Sequence, residues 1–83
     1  MRVHVRLSEP FWRAVGQREL DLDLASGAQV GDLLSQLCQE HPALEREIAE
    51  APLHVFIGDE EAFDNTPLAE DSRVHLVWAI AGG

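Results

Sequence analysis

The sequence predicts an α+β domain: a small mixed sheet of four to five strands with one main helix across one face. Three observations point there. Four segments alternate apolar and polar residues, the period of two expected of half-buried strands. One segment repeats apolar residues at the spacing of a helical stripe. Their order along the 83 residues is strand, strand, helix, strand, strand, which suits a helix packed on one side of a sheet.

The first strand is carried by Val3, Val5 and Leu7, alternating with Arg2, His4 and Arg6. Ser8 to Gln17 contains Pro10 and Gly16 and reads as a loop; Phe11, Trp12 and Val15 make it apolar enough to fold back on the core. Leu20, Leu22 and Leu24 alternate with Glu19, Asp21 and Asp23 as a second strand, joined to the first as a hairpin. After the break at Ser26-Gly27-Ala28-Gln29, Val30, Leu33, Leu34, Leu37, Cys38 and His41 form the stripe of the main helix. Pro42 ends it, and Ala43 to Ala51 reads as a second short helix around Leu44 and Ile48.

Leu53, Val55 and Ile57 define a third strand, with His54 and Phe56 on its other face. Gly58 to Asp71 is acidic and turn-rich, with Phe63 and Leu68 as expected anchors. Val74, Leu76 and Trp78 define the last strand, and Ala79-Ile80-Ala81-Gly82-Gly83 follows. The domain is thus expected over residues 1–79, with a flexible tail over 80–83. The natural arrangement is a β-grasp, with first and last strands adjacent and parallel, although periodicity alone does not order the strands.

Composition narrows the function. A chain this short buries only about 60% of its unfolded surface, which favours a carrier, modifier or binding module over an enzyme with an enclosed active site. The net charge is −9, with six arginines and no lysine. That argues against nucleic-acid phosphates or an anionic membrane as ligands and favours a partner with a basic groove. The lone Cys38 forms no intrachain disulfide, zinc cluster or iron–sulfur site, and its place on the apolar stripe reads as a small core residue. No signal core or bilayer-length apolar run is present in the sequence, so a cytoplasmic protein is expected.

Gly82-Gly83 is the sharpest chemical feature. Glycine lacks Cβ, so such a tail can enter a narrow channel and present a carboxylate to another protein's active site; the plain alternative is a frayed end. His4, His54 and His75 fall on the non-core face of three strands, but no carboxylate-rich ligand spacing accompanies them, so no metal site is expected. Asp59-Glu60-Glu61 reads as a solvated turn, because an acid/base pair needs a desolvated cleft. Phe56 and Val77 on the non-core face mark a candidate docking patch, with Trp78 beside the tail's exit.

Several segments, in order, carry a family resemblance. Gly27-Ala28-Gln29-Val30-Gly31-Asp32-Leu33-Leu34 with Leu37, Pro42 and Leu44, then Val55-Phe56-Ile57-Gly58-Asp59-Glu60, then Thr66-Pro67-Leu68 with Asp71 and Val74, and finally Ala79-Ile80-Ala81-Gly82-Gly83 resemble the MoaD/ThiS family of ubiquitin-like sulfur carriers. The resemblance implies a β-grasp fold. It also implies that an adenylyltransferase related to ubiquitin-activating enzymes uses ATP to activate Gly83. A sulfur donor such as a sulfurtransferase then makes a Gly83 thiocarboxylate, which a sulfur-accepting synthase consumes, with Gly82, Ala81 and Ile80 in the partner's active site. The resemblance further implies that no cofactor is tightly bound and that the carrier is a cosubstrate, not a catalyst. The sequence departs from the family where Gln29 replaces a usual threonine, Gly58 a frequent asparagine, Glu70 a frequent glycine and Trp78 a usual proline. The length resembles the molybdopterin-synthase small subunits more than the shorter thiamin carriers, and the ending also resembles carriers feeding cysteine biosynthesis and archaeal-type protein modifiers. Conjugation through Gly83 to lysines of other proteins, or a non-covalent role with incidental glycines, are the competing readings.

Overall fold

The computed structural model describes residues 1–50 and 53–78. Five strands, β1 (Arg2–Leu7), β2 (Glu19–Asp23), β3 (Leu53–Ile57), β4 (Glu60–Ala62) and β5 (Arg73–Trp78), form one mixed sheet in the order β2-β1-β5-β3-β4. The first and last strands pair in parallel at the centre, Val5 opposite Val74 and Leu7 opposite Leu76. The other neighbours are antiparallel. This is the β-grasp arrangement the element order suggested.

Alternation decides which face is buried. Val3, Val5, Leu22, Leu24, Val55, Val74 and Leu76 point to one side, where Val30, Leu33 and Leu37 of α2 (Val30–Glu40) meet them. Leu33, Leu37 and Leu76 are fully buried. The helix starts without the threonine usual in the resembled family. Instead Asp32 Oδ2 accepts the backbone N–H of Gln29 at 2.8 Å, the carboxylate half of a capping box. The helix ends at Glu40, and Pro42 opens α3 (Pro42–Glu50), where its missing N–H costs nothing. Leu44 of α3 is fully buried and Ile48 packs against the core. Cys38 is half-buried beside Glu45, and burial pushes its thiol pKa up, with the Glu45 charge adding to it.

Three local expectations change. The segment read as a loop between β1 and β2 contains a one-turn helix, α1 (Phe11–Val15). Pro10 precedes it, and Gly16, at φ +89°, closes it by donating its N–H to the Trp12 carbonyl at 2.7 Å. A single turn is too short to show a period, so only its punctuation was visible. The fold-back itself is observed, because Phe11 is fully buried. A short β4 follows the Gly58-Asp59 turn, with Ile57 opposite Glu60. Finally, Leu68 anchors its loop at 7% exposure, but Phe63 does not: it follows inward-facing Ala62 and stands 65% exposed.

Candidate functional site

Two places hold the described candidate residues: the sheet face opposite the helices, and the end of β5. Register aligns one residue per strand across the open face. Glu19 lies opposite Arg6, Arg6 beside His75, His75 beside Phe56 and Phe56 opposite Glu61. A neighbouring row joins Asp21, His4 and Arg73, and His54 is paired with Val77. Phe56 and Val77 are both half-buried on this face, while Trp78 follows Val74 and Leu76 on the other face and is 38% exposed at the strand's end. The docking candidates therefore divide between two faces.

Charge on the open face is mixed. His4, Arg6, Glu19, Asp21, Arg73 and His75 line a shallow basin of about 390 Å³. Among the described residues Arg6 and Arg73 make no ion pair. His4 Nδ1 contacts Asp21 at 2.8 Å and its Nε2 contacts Asp71 at 3.1 Å, which raises its pKa above 6.5. His75 is shifted downward, by burial first and the Arg6 charge second. His54 Nδ1 lies 2.7 Å from Glu61. The three histidines share a face, but His4 and His54 contact different carboxylates, and among the described residues His75 has no side-chain hydrogen bond. Among the described residues no group of three or more potential ligands converges. Asp59, Glu60 and Glu61 are exposed, Glu61 being occupied by His54.

At the tail end, Ser8 closes the sheet. Its N–H and its hydroxyl both donate to the Leu76 carbonyl at 3.0 Å, and its Oγ accepts the Trp78 N–H at 3.3 Å. Nearby in sequence, the guanidinium groups of Arg18 and Arg13 lie over the Trp12 ring, 4.6 Å and 5.5 Å from its centroid. The sequence puts both Ser8 and Trp12 in a loop, with Trp12 among the apolar residues that fold it back on the core. The available signal for Ser8 was a hydroxyl at the point where a strand gives way to a proline-marked turn. Ile80, Ala81, Gly82 and Gly83, the expected tail, lie outside the described residues, as does the expected domain boundary at residue 79. Among the described residues no helix is long and apolar enough to cross a membrane.

Comparison with solved structures gives related folds over the whole chain. SAMP1 of Haloferax volcanii is 25% identical, with a TM-score of 0.87 and 100% of both chains covered. A chain in the complex of subunits 1 and 2 of molybdopterin-converting factor from Helicobacter pylori is 20% identical, with a TM-score of 0.69 and 100% of both chains covered. A chain in the BexX/CysO complex of Amycolatopsis orientalis is 18% identical, with a TM-score of 0.74 and coverage of 98% of this chain and 99% of that one. The latter two likenesses speak to the fold alone. No curated protein matches the sequence significantly. The family model described as the ThiS family matches residues 5–83. With the parallel β1–β5 pair at the centre of the sheet and the motif order along the chain, that match establishes that the chain belongs to the ThiS family of ubiquitin-like β-grasp proteins.

Proposed function

We propose that this chain is a sulfur carrier whose Gly83 is its reactive group. A ubiquitin-activating-like adenylyltransferase binds the folded domain and takes the tail into its active site. The Gly83 carboxylate attacks the α-phosphorus of ATP and pyrophosphate leaves. The persulfide of a donor such as a sulfurtransferase then displaces AMP to give an acyl disulfide, a second thiol cleaves it to the thiocarboxylate and itself ends in a disulfide, and the thiocarboxylate supplies sulfur to a synthase making molybdopterin, cysteine or another sulfur-containing metabolite. The chain itself contributes no catalytic group; it presents one carboxyl to other proteins. The observation that carries this reading is the family match that runs through β5 and on to Gly82-Gly83. Gly82 supplies a slender approach, because a residue without Cβ passes where others do not. Phe56 and Val77 on the open face, with Trp78 at the tail's base, are the proposed docking residues.

Intact-mass analysis of protein from its native host, before and after incubation with ATP, the cognate activating enzyme and a sulfur source, tests this. Sulfur for oxygen adds about 16 Da, so fragmentation must place the change at Gly83 and exclude oxidation of Met1 or Cys38. An unmodified Gly83 under conditions that modify a known carrier refutes the carrier reading. Deleting Gly82-Gly83 should abolish transfer while leaving the fold intact. Phe56→Ala and Val77→Ala should raise KM for the activating enzyme.

A second reading, conjugation through Gly83 to lysines of other proteins, is favoured by the full-length likeness to SAMP1, since Haloferax volcanii SAMP1 is a small archaeal modifier protein. The chain has no lysine, so it cannot build lysine-linked chains on itself. Tagged protein from the host yields denaturation-resistant adducts on this reading and a single band on the carrier reading.

A further inference from the structure

The Ser8 carbonyl and the Ser8 hydroxyl serve two different elements. The Ser8 N–H donates to the Leu76 carbonyl at 3.0 Å, continuing the β1–β5 ladder one step past the Leu7–Leu76 pair. In a regular parallel ladder the next bond would run from the Trp78 N–H to the Ser8 carbonyl. That carbonyl is already engaged, accepting the Trp12 N–H at 3.1 Å as the main chain turns into α1. The Ser8 hydroxyl stands in for it. Its one proton goes to the Leu76 carbonyl, leaving a lone pair for the Trp78 N–H at 3.3 Å. One side chain thus carries the sheet to the last residue of β5 while its own backbone departs in another direction.

We propose that Ser8 is a positioning residue for the end of β5, fixing the Trp78 backbone against β1 at the point where the chain leaves the sheet. The proposal rests on the carrier reading for its functional consequence. A chain end that must enter an activating enzyme binds more tightly when its approach is restricted beforehand, because less freedom is lost on binding. A proline at position 78, usual in the resembled family, would set φ by its ring and offer no N–H. Trp78 has no such ring, and the hydrogen bond to Ser8 supplies a restraint instead. The indole takes no part in that bond.

The test uses the full chain as wild type, Ser8→Ala, Ser8→Thr and Trp78→Phe. Amide exchange is followed by NMR, and adenylation by ATP–pyrophosphate exchange with the cognate activating enzyme. Ser8→Ala should speed exchange at residue 78 about five-fold, the size of one ordinary hydrogen bond, without changing exchange at Val74 or Leu76. It should raise KM several-fold with kcat near wild type. Ser8→Thr should restore both, and Trp78→Phe should leave exchange at residue 78 as in the wild type. Unchanged exchange in Ser8→Ala overturns the proposal. So does equal acceleration throughout β1 and β5, which makes Ser8 merely structural, and so does faster exchange at residue 78 with unaltered KM. A wild type that is not adenylated refutes the carrier reading instead; the exchange data then still decide whether Ser8 holds the strand end.

Discussion

His4 Nδ1 lies 2.8 Å from Asp21 Oδ1, a side-chain contact across the β1–β2 pair. The other ring nitrogen reaches Asp71 at 3.1 Å, and an imidazole donates from both nitrogens only when protonated. The hydrogen bond to Asp21, then that to Asp71, raises the His4 pKa above 6.5. The stabilisation is therefore complete below 6.5 and is lost as pH rises through the folded-state value. An NMR titration should place the His4 midpoint above 6.5, and Asp21→Asn should lower it. A wild-type midpoint at or below 6.5 would reject this account.

His75 should behave in the opposite sense. Burial, then the neighbouring Arg6 charge, lowers its pKa below 6.5. The unfolded chain takes up this proton first, so stability falls as pH drops from 6.5 toward the folded-state value. The same NMR titration should separate the two midpoints, His75 below and His4 above. Arg6→Gln should move His75 only part of the way back, because burial is the larger cause.

Gly58 turns β3 into β4 at φ +62°, with open space where a Cβ would stand. The cost of substitution there is conformational and not steric crowding. Asparagine tolerates the left-handed region and a β-branched residue does not. Gly58→Val should lose about 1–2 kcal/mol and Gly58→Asn clearly less, as measured by urea denaturation. This also accounts for asparagine being frequent here in the resembled family.

Phe11 tests the one-turn helix. It is fully buried, so Phe11→Ala should cost about 3–5 kcal/mol. At about 4 °C or more per kcal/mol for a domain of this size, Tm should fall by well over 10 °C. A loss below about 1 kcal/mol would mean that the segment is a surface loop after all.

The β1, β2, β3 and β5 strands and the α2 helix were legible because each repeats its period several times. Val3-Val5-Leu7 and Val30-Leu33-Leu37 advertise one buried face directly. α1 and β4 were not legible, because five and three residues hold less than two periods. Phe63 misled for a related reason: its size suggested an anchor, but the alternation continued from Ala62 turns it outward. Phe56 and Val77 could be assigned to the open face from parity alone. The role of Ser8 could not, because it depends on a carbonyl diverted to Trp12 and on a strand distant in sequence.

The central β1–β5 pair joins strands from opposite ends of the described chain. During synthesis β1 can pair with β2 early, but its other edge waits until residues 73–78 have been made. β3 likewise lacks its central neighbour until then. The sheet therefore closes late and all at once, with the long-range pairing that slows folding. A nascent or truncated chain without β5 would carry two further open edges, on β1 and β3, each a template for pairing with another molecule. The last described strand is thus also the one whose arrival completes the sheet.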